Sequence, residues 1–324
     1  MNARPATLPS LDPWQCTLDD FHSADLAMAQ CLDLARLAAR TDLPILIVGE
    51  SGTGKTLLAR AIHNSSRRAR WPFVAFNAAA LSDTLVDSQL FGHEKGAFTG
   101  AARAVRGKFE LAHRGTLFID EIADMSQAAQ AKVLRAVEYG EFERLGSEAL
   151  QQADVRVVSA THWPLDSFVE SGRFRRDLFY RISGILLVLP PLRERAQDLR
   201  ALIASEIEAA SRREEKPIAG LAQPAADMLL SYSWPGNLRE LKTVIQTAVA
   251  LTTGDVIPAA AILLHRETTA DPAPSTGDGN MTLAAAERRH IRRVLAAVRG
   301  NKRQASRVLG ISRSTLDRKL GESE

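Results

Sequence analysis

Short aliphatic runs alternate with longer segments of helical apolar spacing over the first 190 or so residues. Strands that alternate with helices in this way are typical of an α/β domain with a mainly parallel sheet. The predicted strands are residues 44–48, 73–76, 116–119, 155–160 and 185–189.

The pattern changes at Pro190 and Pro191, after which apolar residues recur only at helical spacing. This change predicts a separate all-α subdomain. Residues 268–280 are rich in Pro, Gly, Ser, Thr and Asp, and contain no large apolar residue, so a flexible linker is expected there. The predicted divisions are an N-terminal extension (1–22), an α/β subdomain (23–190), an all-α subdomain (191–265), a linker (266–281) and a small helical domain (282–324).

Composition places the chain among ordinary globular proteins, because 45% of its 324 residues are hydrophobic and 24% are charged. The two cysteines, Cys16 and Cys31, form no CxxC pair, so neither a disulfide framework nor a zinc site is indicated. No apolar run is long enough to span a bilayer, and no secretion signal is visible at the N-terminus. A cytoplasmic protein is expected.

The formal charge of +3 is unevenly distributed along the chain. Residues 282–324 contain 11 Lys and Arg against 4 Asp and Glu, a charge of +7, whereas residues 1–281 contain 30 against 34, a charge of −4. The C-terminal segment is therefore expected to bind a polyanion, and the rest of the chain is not.

A glycine-rich loop follows the first predicted strand and precedes a helical pattern, which is the context that the GxxxxGK[ST] motif requires. Its backbone N–H groups can surround phosphates, Lys55 can neutralise the β and γ oxygens, and the Thr56 hydroxyl can ligate Mg²⁺. The alternative is a turn that ends in Lys-Thr by chance. The loop residues are Gly49, Glu50, Ser51, Gly52, Thr53, Gly54, Lys55 and Thr56.

Two carboxylates end the third predicted strand, where Asp120 and Glu121 follow a buried apolar run. Asp120 is placed to hold Mg²⁺, and Glu121 to orient or deprotonate an attacking water. An apolar strand that ends in Asp-Glu can also be a strand that simply reaches solvent. Together with the glycine-rich loop, the pair predicts a nucleoside triphosphatase that uses ATP and Mg²⁺.

At residues 26–264 or so, the sequence resembles the sigma-54-interacting AAA+ activators, also called bacterial enhancer-binding proteins. The most specific match is the GAFTGA loop, which is Gly96, Ala97, Phe98, Thr99, Gly100 and Ala101. The resemblance implies a AAA+ P-loop ATPase with an α-helical lid, in which Phe98 and Thr99 contact sigma-54. Glycines on both sides suit a mobile, exposed tip, although Phe98 could instead be tucked inward.

Further matches imply roles for individual residues by resemblance to the family. Asn77 resembles the asparagine that restrains the catalytic glutamate, although a turn-forming role is the alternative. Arg175 and Arg181, in the segment FRRDLFYR, resemble arginine fingers that reach the nucleotide of a neighbouring subunit, and a solvated arginine face is the alternative.

The family's sensor positions fall on Thr161 and Arg239. Arg239 lies in WPGNLREL, where Asn237 is also a candidate helix cap. The sequence departs from the family at His162, where asparagine is usual, and at Thr56, where an acidic residue is common.

The C-terminal segment resembles the Fis-type helix-turn-helix, with helices predicted at 287–295, 302–309 and 313–320. The last helix is expected in the major groove of DNA. The alternative is a basic helical unit that packs on a partner protein. Candidate DNA contacts are Arg313, Ser314, Thr315, Arg318 and Lys319.

These matches predict a subunit ring, possibly a hexamer, that binds enhancer DNA and uses ATP hydrolysis to open promoters bound by sigma-54 RNA polymerase holoenzyme. Only about twenty residues precede the ATPase domain, too few for the N-terminal sensory domain that usually controls such activators. Control is therefore expected from a regulatory protein in trans, from expression level, or not at all. Two other classes compete with this reading. A AAA+ remodeller unrelated to sigma-54 would not need the GAFTGA loop, and a repressor with a vestigial ATPase fold would not keep its ATPase motifs intact.

Overall fold

The computed structural model describes residues 14–79, 82–264, 291, 294 and 301–321. They belong to two units, Met1–Leu264 and His265–Glu324. The strands are β1 (Ile45–Val48), β2 (Phe73–Asn77), β3 (Gly92–His93), β4 (Val105–Arg106), β5 (Thr116–Asp120), β6 (Glu141–Glu143), β7 (Leu150–Gln152), β8 (Arg156–Thr161), β9 (Ile185–Val188), β10 (Gly220–Leu221) and β11 (Val256–Ile257). The helices are α1 (Leu26–Ala39), α2 (Lys55–Asn64), α3 (Asp83–Phe91), α4 (Lys108–Leu111), α5 (Gln127–Tyr139), α6 (Leu165–Glu170), α7 (Arg176–Ile182), α8 (Ala196–Arg213), α9 (Gln223–Ser231), α10 (Asn237–Leu251), α11 (Lys302–Leu309) and α12 (Arg313–Gly321).

A parallel sheet of five strands in the order β2-β5-β8-β1-β9 forms the centre of the larger unit. All five predicted strands are present, and each end lies within one residue of its predicted position. The α/β prediction is confirmed, and its physical basis is that helices cover both faces of the sheet. Strands buried on both faces are continuous apolar runs, which are easy to read from sequence.

Two apolar cores lie on opposite faces of this sheet because side chains alternate along each strand. Leu117 and Ile119 of β5 pack into one core, whereas Phe118 packs into the other with α1 and α2. The carboxyl ends of the parallel strands all lie at one edge of the sheet, where α/β proteins usually bind ligands. The polar residues that follow the strands are therefore brought to this edge.

Helices α8, α9 and α10 form a lid subdomain around Trp234, Leu241 and Ile245, all of which are fully buried. The prediction of a helical subdomain is confirmed. The lid additionally contains a parallel pair of two-residue strands, β10 and β11. Such short strands carry no detectable apolar periodicity, so the sequence did not indicate them. Among the described residues, no helix is long and apolar enough to cross a membrane.

In the smaller unit, α11 and α12 agree with two of the three predicted helices. Asn301 caps α11 by accepting a hydrogen bond from the Gln304 amide at 3.2 Å, and Gly310 ends it in the left-handed conformation. Ile291, Ala305 and Leu316 are buried together. The first of the three predicted helices, at 287–295, falls mostly outside the described residues. The predicted linker and most of the N-terminal extension also lie outside them.

Candidate functional site

The loop between β1 and α2 is shaped by two glycines in the left-handed conformation. Gly54 has φ 103° and immediately precedes α2, which begins at Lys55. Gly52 has φ 80°, and a Cβ there would lie 2.3 Å from the carbonyl oxygen of Gly236 in the lid. Only glycine fits such an approach. The loop therefore lies against the lid, with the N-terminus of α2 available to an anion.

Lys55 lies between this loop and the carboxylates at the end of β5. Its side chain is only 6% exposed, and Nζ donates to the carbonyl oxygens of Gly49 at 2.7 Å and Glu50 at 3.2 Å. The same Nζ lies 3.9 Å from Oε1 of Glu121. Burial lowers the pKa of Lys55, and Glu121 and Asp120 oppose that shift. The two acids beside Lys55 thus favour its charged form against the effect of burial.

Asp120 and Glu121 are adjacent but are held in different conformations. Glu121 has φ 53°, a left-handed conformation that is unusual outside glycine and is often found at functional sites. Its amide donates to Asp120 Oδ1 at 3.1 Å. Burial raises the pKa of Asp120, and the neighbouring charge of Glu121 raises it further. An added cation would relieve this destabilised pair of carboxylates.

Several predicted nucleotide-site residues line one cavity of about 310 Å³ between the sheet edge and the lid. A larger cavity of about 490 Å³ lies within the lid, but its lining includes neither the glycine-rich loop nor the paired acids. We therefore assign the smaller cavity as the candidate site. From the predicted set it is lined by Ser51, Gly52, Gly54, Lys55, Thr56, Asp120, Glu121 and Arg239.

The lid reaches the loop through Arg239 and Asn237. Arg239 donates to the Ser51 hydroxyl at 2.8 Å. Asn237 is the first residue of α10 and has φ 52°, and it is not the helix cap considered from the sequence. Its side chain accepts from the Leu192 amide at 2.7 Å and donates to Ser51 O at 3.0 Å and to a Glu50 carboxylate oxygen at 3.1 Å. Its polar atoms are used to join lid and loop, so they cannot cap the helix.

Glu50 faces the lid. Arg193 donates both terminal nitrogens to its carboxylate, at 2.6 and 2.8 Å. This hydrogen bonding, assisted by Asn237, lowers the pKa of Glu50. No sequence motif indicated Arg193, because its pairing with Glu50 depends on how the lid is placed.

The sensor I position brings an unexpected residue to the site. Thr161 is fully buried, and its hydroxyl accepts from the Trp163 amide at 3.0 Å. The next residue, His162, contacts Glu121 directly, with 2.7 Å between Nδ1 and Oε2. Asn77 lies opposite Asp120 in the β2–β5 register, but its side-chain oxygen accepts from the Ala79 amide at 2.8 Å. The predicted restraint of Glu121 by Asn77 stays a prediction.

Neither candidate arginine finger lines the cavity of its own chain. Arg175 forms a two-point pair with Asp177, at 2.7 and 3.0 Å, just before α7. Arg181 donates to the carbonyl oxygens of Val137 and Glu138 at 3.3 and 3.2 Å. Both arginines therefore remain candidates for a site on another chain.

The GAFTGA loop connects β3 and β4 and is closed by a hydrogen bond from the Gly96 amide to the Ala101 carbonyl, at 2.9 Å. Thr99 is exposed, as expected for a tip. Phe98 is half-buried, and its ring packs edge-on to His93 with 5.0 Å between centroids. The contact with His93 removes part of the apolar surface of Phe98 from water, so the ring is only partly exposed to solvent.

The start of α12 carries exposed residues of the predicted DNA set, Arg313 and Ser314. Thr315 is half-buried, and the Ser312 hydroxyl accepts from its amide at 3.1 Å, which caps the helix. Lys302 Nζ lies 2.9 Å from Asp317, and this hydrogen bond lowers the pKa of Asp317. The one acidic residue of this helix is thus already neutralised by a partner. Lys319 is half-buried, and the side chain of Arg318 lies outside the described set.

Comparison with known families divides the chain into three parts. The sigma-54 interaction domain matches residues 21–188, the AAA+ ATPase lid domain residues 193–277, and the Fis family of bacterial regulatory proteins residues 282–322. These segments follow the order that the sequence analysis predicted.

Similar proteins include the transcriptional regulatory protein ZraR of Klebsiella oxytoca, 44% identical over 295 residues, which cover 91% of this chain and 67% of ZraR. The DNA-binding transcriptional regulator NtrC of Azospirillum brasilense is 41% identical over 317 residues, covering 89% and 66% of the two chains. The chain thus spans about two thirds of the length of these relatives.

Among solved structures, NtrX from Brucella abortus in complex with ATP matches with a TM-score of 0.70 and 32% identity, covering 94% of this chain and 69% of that one. A RuvB mutant from Thermotoga maritima, 17% identical with a TM-score of 0.51, shares the fold; the match covers 94% of this chain and 88% of that one. The chain belongs to the sigma-54 interaction domain family of AAA+ ATPases, and it joins that domain to a AAA+ lid and a Fis-family helix-turn-helix.

Proposed function

We propose that this protein uses ATP hydrolysis to activate transcription by sigma-54 RNA polymerase. The observation that carries the proposal is the convergence of the loop lysine, the paired acids and a lid arginine on one cavity, in a chain that also presents the GAFTGA loop. This arrangement joins a phosphate-binding site to a separate element that can contact a partner. Such an activator acts in the cytoplasm, where the polymerase is.

In the proposed site, the N–H groups of residues 49–54 and the Lys55 ammonium bind the ATP phosphates. Glu121 accepts the proton of the attacking water at a carboxylate oxygen, and Lys55 and Arg239 offset charge that develops on the phosphate. Glu121 has a left-handed backbone, and its carboxylate lies 3.9 Å from Lys55 Nζ.

The chain has the oxygen ligands that Mg²⁺ prefers, namely the Asp120 carboxylate and the Thr56 hydroxyl, which line the same cavity. Among the described residues, no group of three or more His, Cys, Asp or Glu side chains could hold a metal alone. That fits an ion that takes most of its ligands from phosphate and water. When bound, Mg²⁺ would neutralise phosphate charge.

Arg175 and Arg181 are proposed to act on the nucleotide of a neighbouring copy in a ring. Planar guanidinium groups bind phosphate at two points, as Arg175 already binds Asp177. In the ring, Arg175 exchanges this exposed carboxylate for a phosphate. Control by a regulatory protein in trans stays a prediction.

The GAFTGA loop is proposed to transmit hydrolysis to sigma-54 through Phe98 and Thr99. Gly96 and Gly100 have φ 84° and 102°, and a Cβ at either would meet nothing within 4 Å. These glycines are therefore required by conformation rather than by close packing, which suits a loop that changes shape. The basic C-terminal unit, with α12 in the major groove, would hold the ring at an enhancer.

The test is open-complex formation by purified sigma-54 holoenzyme, measured beside ATP turnover for wild type, Lys55→Ala and Thr99→Ala. Lys55→Ala should lose both activities, whereas Thr99→Ala should hydrolyse ATP and fail to open the promoter. Thr84→Ala, the same change at an exposed position of α3, is the matched control and should keep both activities. Full ATP turnover by Lys55→Ala would refute the site, and promoter opening by Thr99→Ala would refute the coupling role of the loop.

A further inference from the structure

The two oxygens of the Glu121 carboxylate have different partners. Oε2 accepts from His162 Nδ1 at 2.7 Å and from the His162 amide at 3.4 Å, while Oε1 lies 3.9 Å from Lys55 Nζ. The Glu121 side chain is 16% exposed and that of His162 34% exposed. These contacts fix the carboxylate at the edge of the cavity, with His162 on one oxygen.

We propose that His162 is a positioning residue that orients the Glu121 carboxylate for proton abstraction. The family resemblance had linked Asn77, as a restraint, to the same glutamate. This inference rests on the role proposed above for Glu121. His162 acts through Glu121, because it is not among the residues that line the cavity.

The hydrogen bond at Oε2 has two consequences for a carboxylate base. It selects one rotamer of a flexible side chain, and it leaves Oε1 as the oxygen free to accept a proton from water. The arrangement requires the hydrogen on Nδ1 of His162.

The imidazole is itself held in place by the turn that follows β8. Its ring packs on Trp163 with 4.5 Å between centroids, and Trp163 packs on Phe168 at 5.6 Å. The Trp163 amide donates to the Thr161 hydroxyl, which fixes the start of the turn. Residues that orient a catalytic group from behind commonly contribute about 10- to 100-fold to activity.

Asn77 is differently engaged. Its side-chain oxygen accepts from the Ala79 amide, two residues along the chain, in the manner of a local turn. Asn77 ends β2 opposite Asp120 rather than Glu121. Its side chain thus stabilises the backbone after β2, and the contact with Glu121 comes from His162, the residue that follows β8.

The competing explanation is a partly exposed contact between two polar side chains that has no effect on catalysis, since such pairs often contribute little. Three substitutions in the full chain separate the two explanations. In His162→Asn, the amide nitrogen is as many bonds from Cα as Nδ1 of histidine, so it can replace that donor. In His162→Gln, the amide nitrogen is instead as many bonds from Cα as Nε2. His162→Ala removes the donor. The readouts are kcat and KM for ATP, with binding of a fluorescent ATP analogue and circular dichroism as checks on folding.

We expect His162→Ala and His162→Gln to lower kcat about 10- to 100-fold with KM little changed, and His162→Asn to retain most of kcat. Asn77→Ala should lower kcat less than His162→Ala does. Wild-type kcat in His162→Ala, or a kcat in His162→Asn as low as in His162→Ala, would overturn the inference. If the Ala variant folds poorly, the difference in kcat between the Asn and Gln variants still tests the positioning role of His162.

Glu121→Gln distinguishes failure of this inference from failure of the proposed function. If Glu121→Gln turns over ATP normally, Glu121 is not the base, and both proposals fall. If Glu121→Gln is inactive while His162→Ala is unaffected, the base stands and only the positioning role is lost.

Discussion

Replacing Asn237 tests how the lid is fastened to the nucleotide loop. Its fully buried side chain accepts from the Leu192 amide and donates to Ser51 O and to Glu50. Asn237→Gly removes all three hydrogen bonds while keeping a residue that adopts φ 52° without strain. Asn237→Ala removes the same bonds but, unlike glycine, keeps a Cβ in the left-handed conformation.

The expected cost follows from these contacts. A buried Leu192 N–H without an acceptor costs about 1–3 kcal/mol, and each of the other two hydrogen bonds contributes about 1 kcal/mol. Asn237→Gly should therefore lower the free energy of unfolding by about 3–5 kcal/mol. Asn237→Ala should cost about 1 kcal/mol more than that, because alanine is strained there.

Urea unfolding of the full chain measures the free energy, and hydrogen exchange at the Leu192 amide reports the broken contact directly. The KM for ATP should also rise in both variants, since Ser51 and Glu50 belong to the loop that is proposed to bind phosphate. A loss below about 1 kcal/mol together with an unchanged exchange rate at Leu192 would show that the assigned hydrogen bonds do not hold the lid.

Three further outcomes are expected. Gly52→Ala should raise KM for ATP about 10-fold or more, because its Cβ would lie 2.3 Å from Gly236 O, whereas Gly220→Ala, with nothing within 4 Å, should not. Burial would raise the pKa of Asp198, but hydrogen bonds from Ser23 and Arg195 lower it below its usual value. The ionised carboxylate therefore stabilises the fold at neutral pH, and this stabilisation is lost as the pH falls through the folded-state pKa. In Asp198→Asn, the urea midpoint should consequently fall less steeply on the acid side. Arg313→Ala should weaken enhancer binding and reduce its salt dependence by about one ion, while Arg212→Ala in the lid should leave both unchanged.

The sequence predicted the sheet well because its strands are buried on both faces. An apolar run such as residues 116–119, in a chain that also has a glycine-rich loop and paired acids, predicts a central strand. The residues of the glycine-rich loop, which we propose bind phosphate, were equally predictable, since they form one contiguous motif.

Contacts between distant segments were not predictable in the same way. His162 looked like a departure from the family, and Asn237 like a helix cap, because the partners of each lie far away in the chain. The two-residue strands β3, β4, β10 and β11 are too short to show a period. Such features depend on how the elements pack, which a linear pattern does not contain.

The row of rings beyond Glu121 has a genetic consequence. His162 packs on Trp163, Trp163 on Phe168, and Arg173 lies 4.2 Å above the Phe168 ring, two residues before Arg175. In the proposed ring, residues 162–175 position Glu121 of their own subunit and include Arg175, which would bind the nucleotide of the neighbouring subunit. One defective copy would then impair two adjacent sites, so alleles in residues 162–175 should be dominant over wild type when both are expressed together.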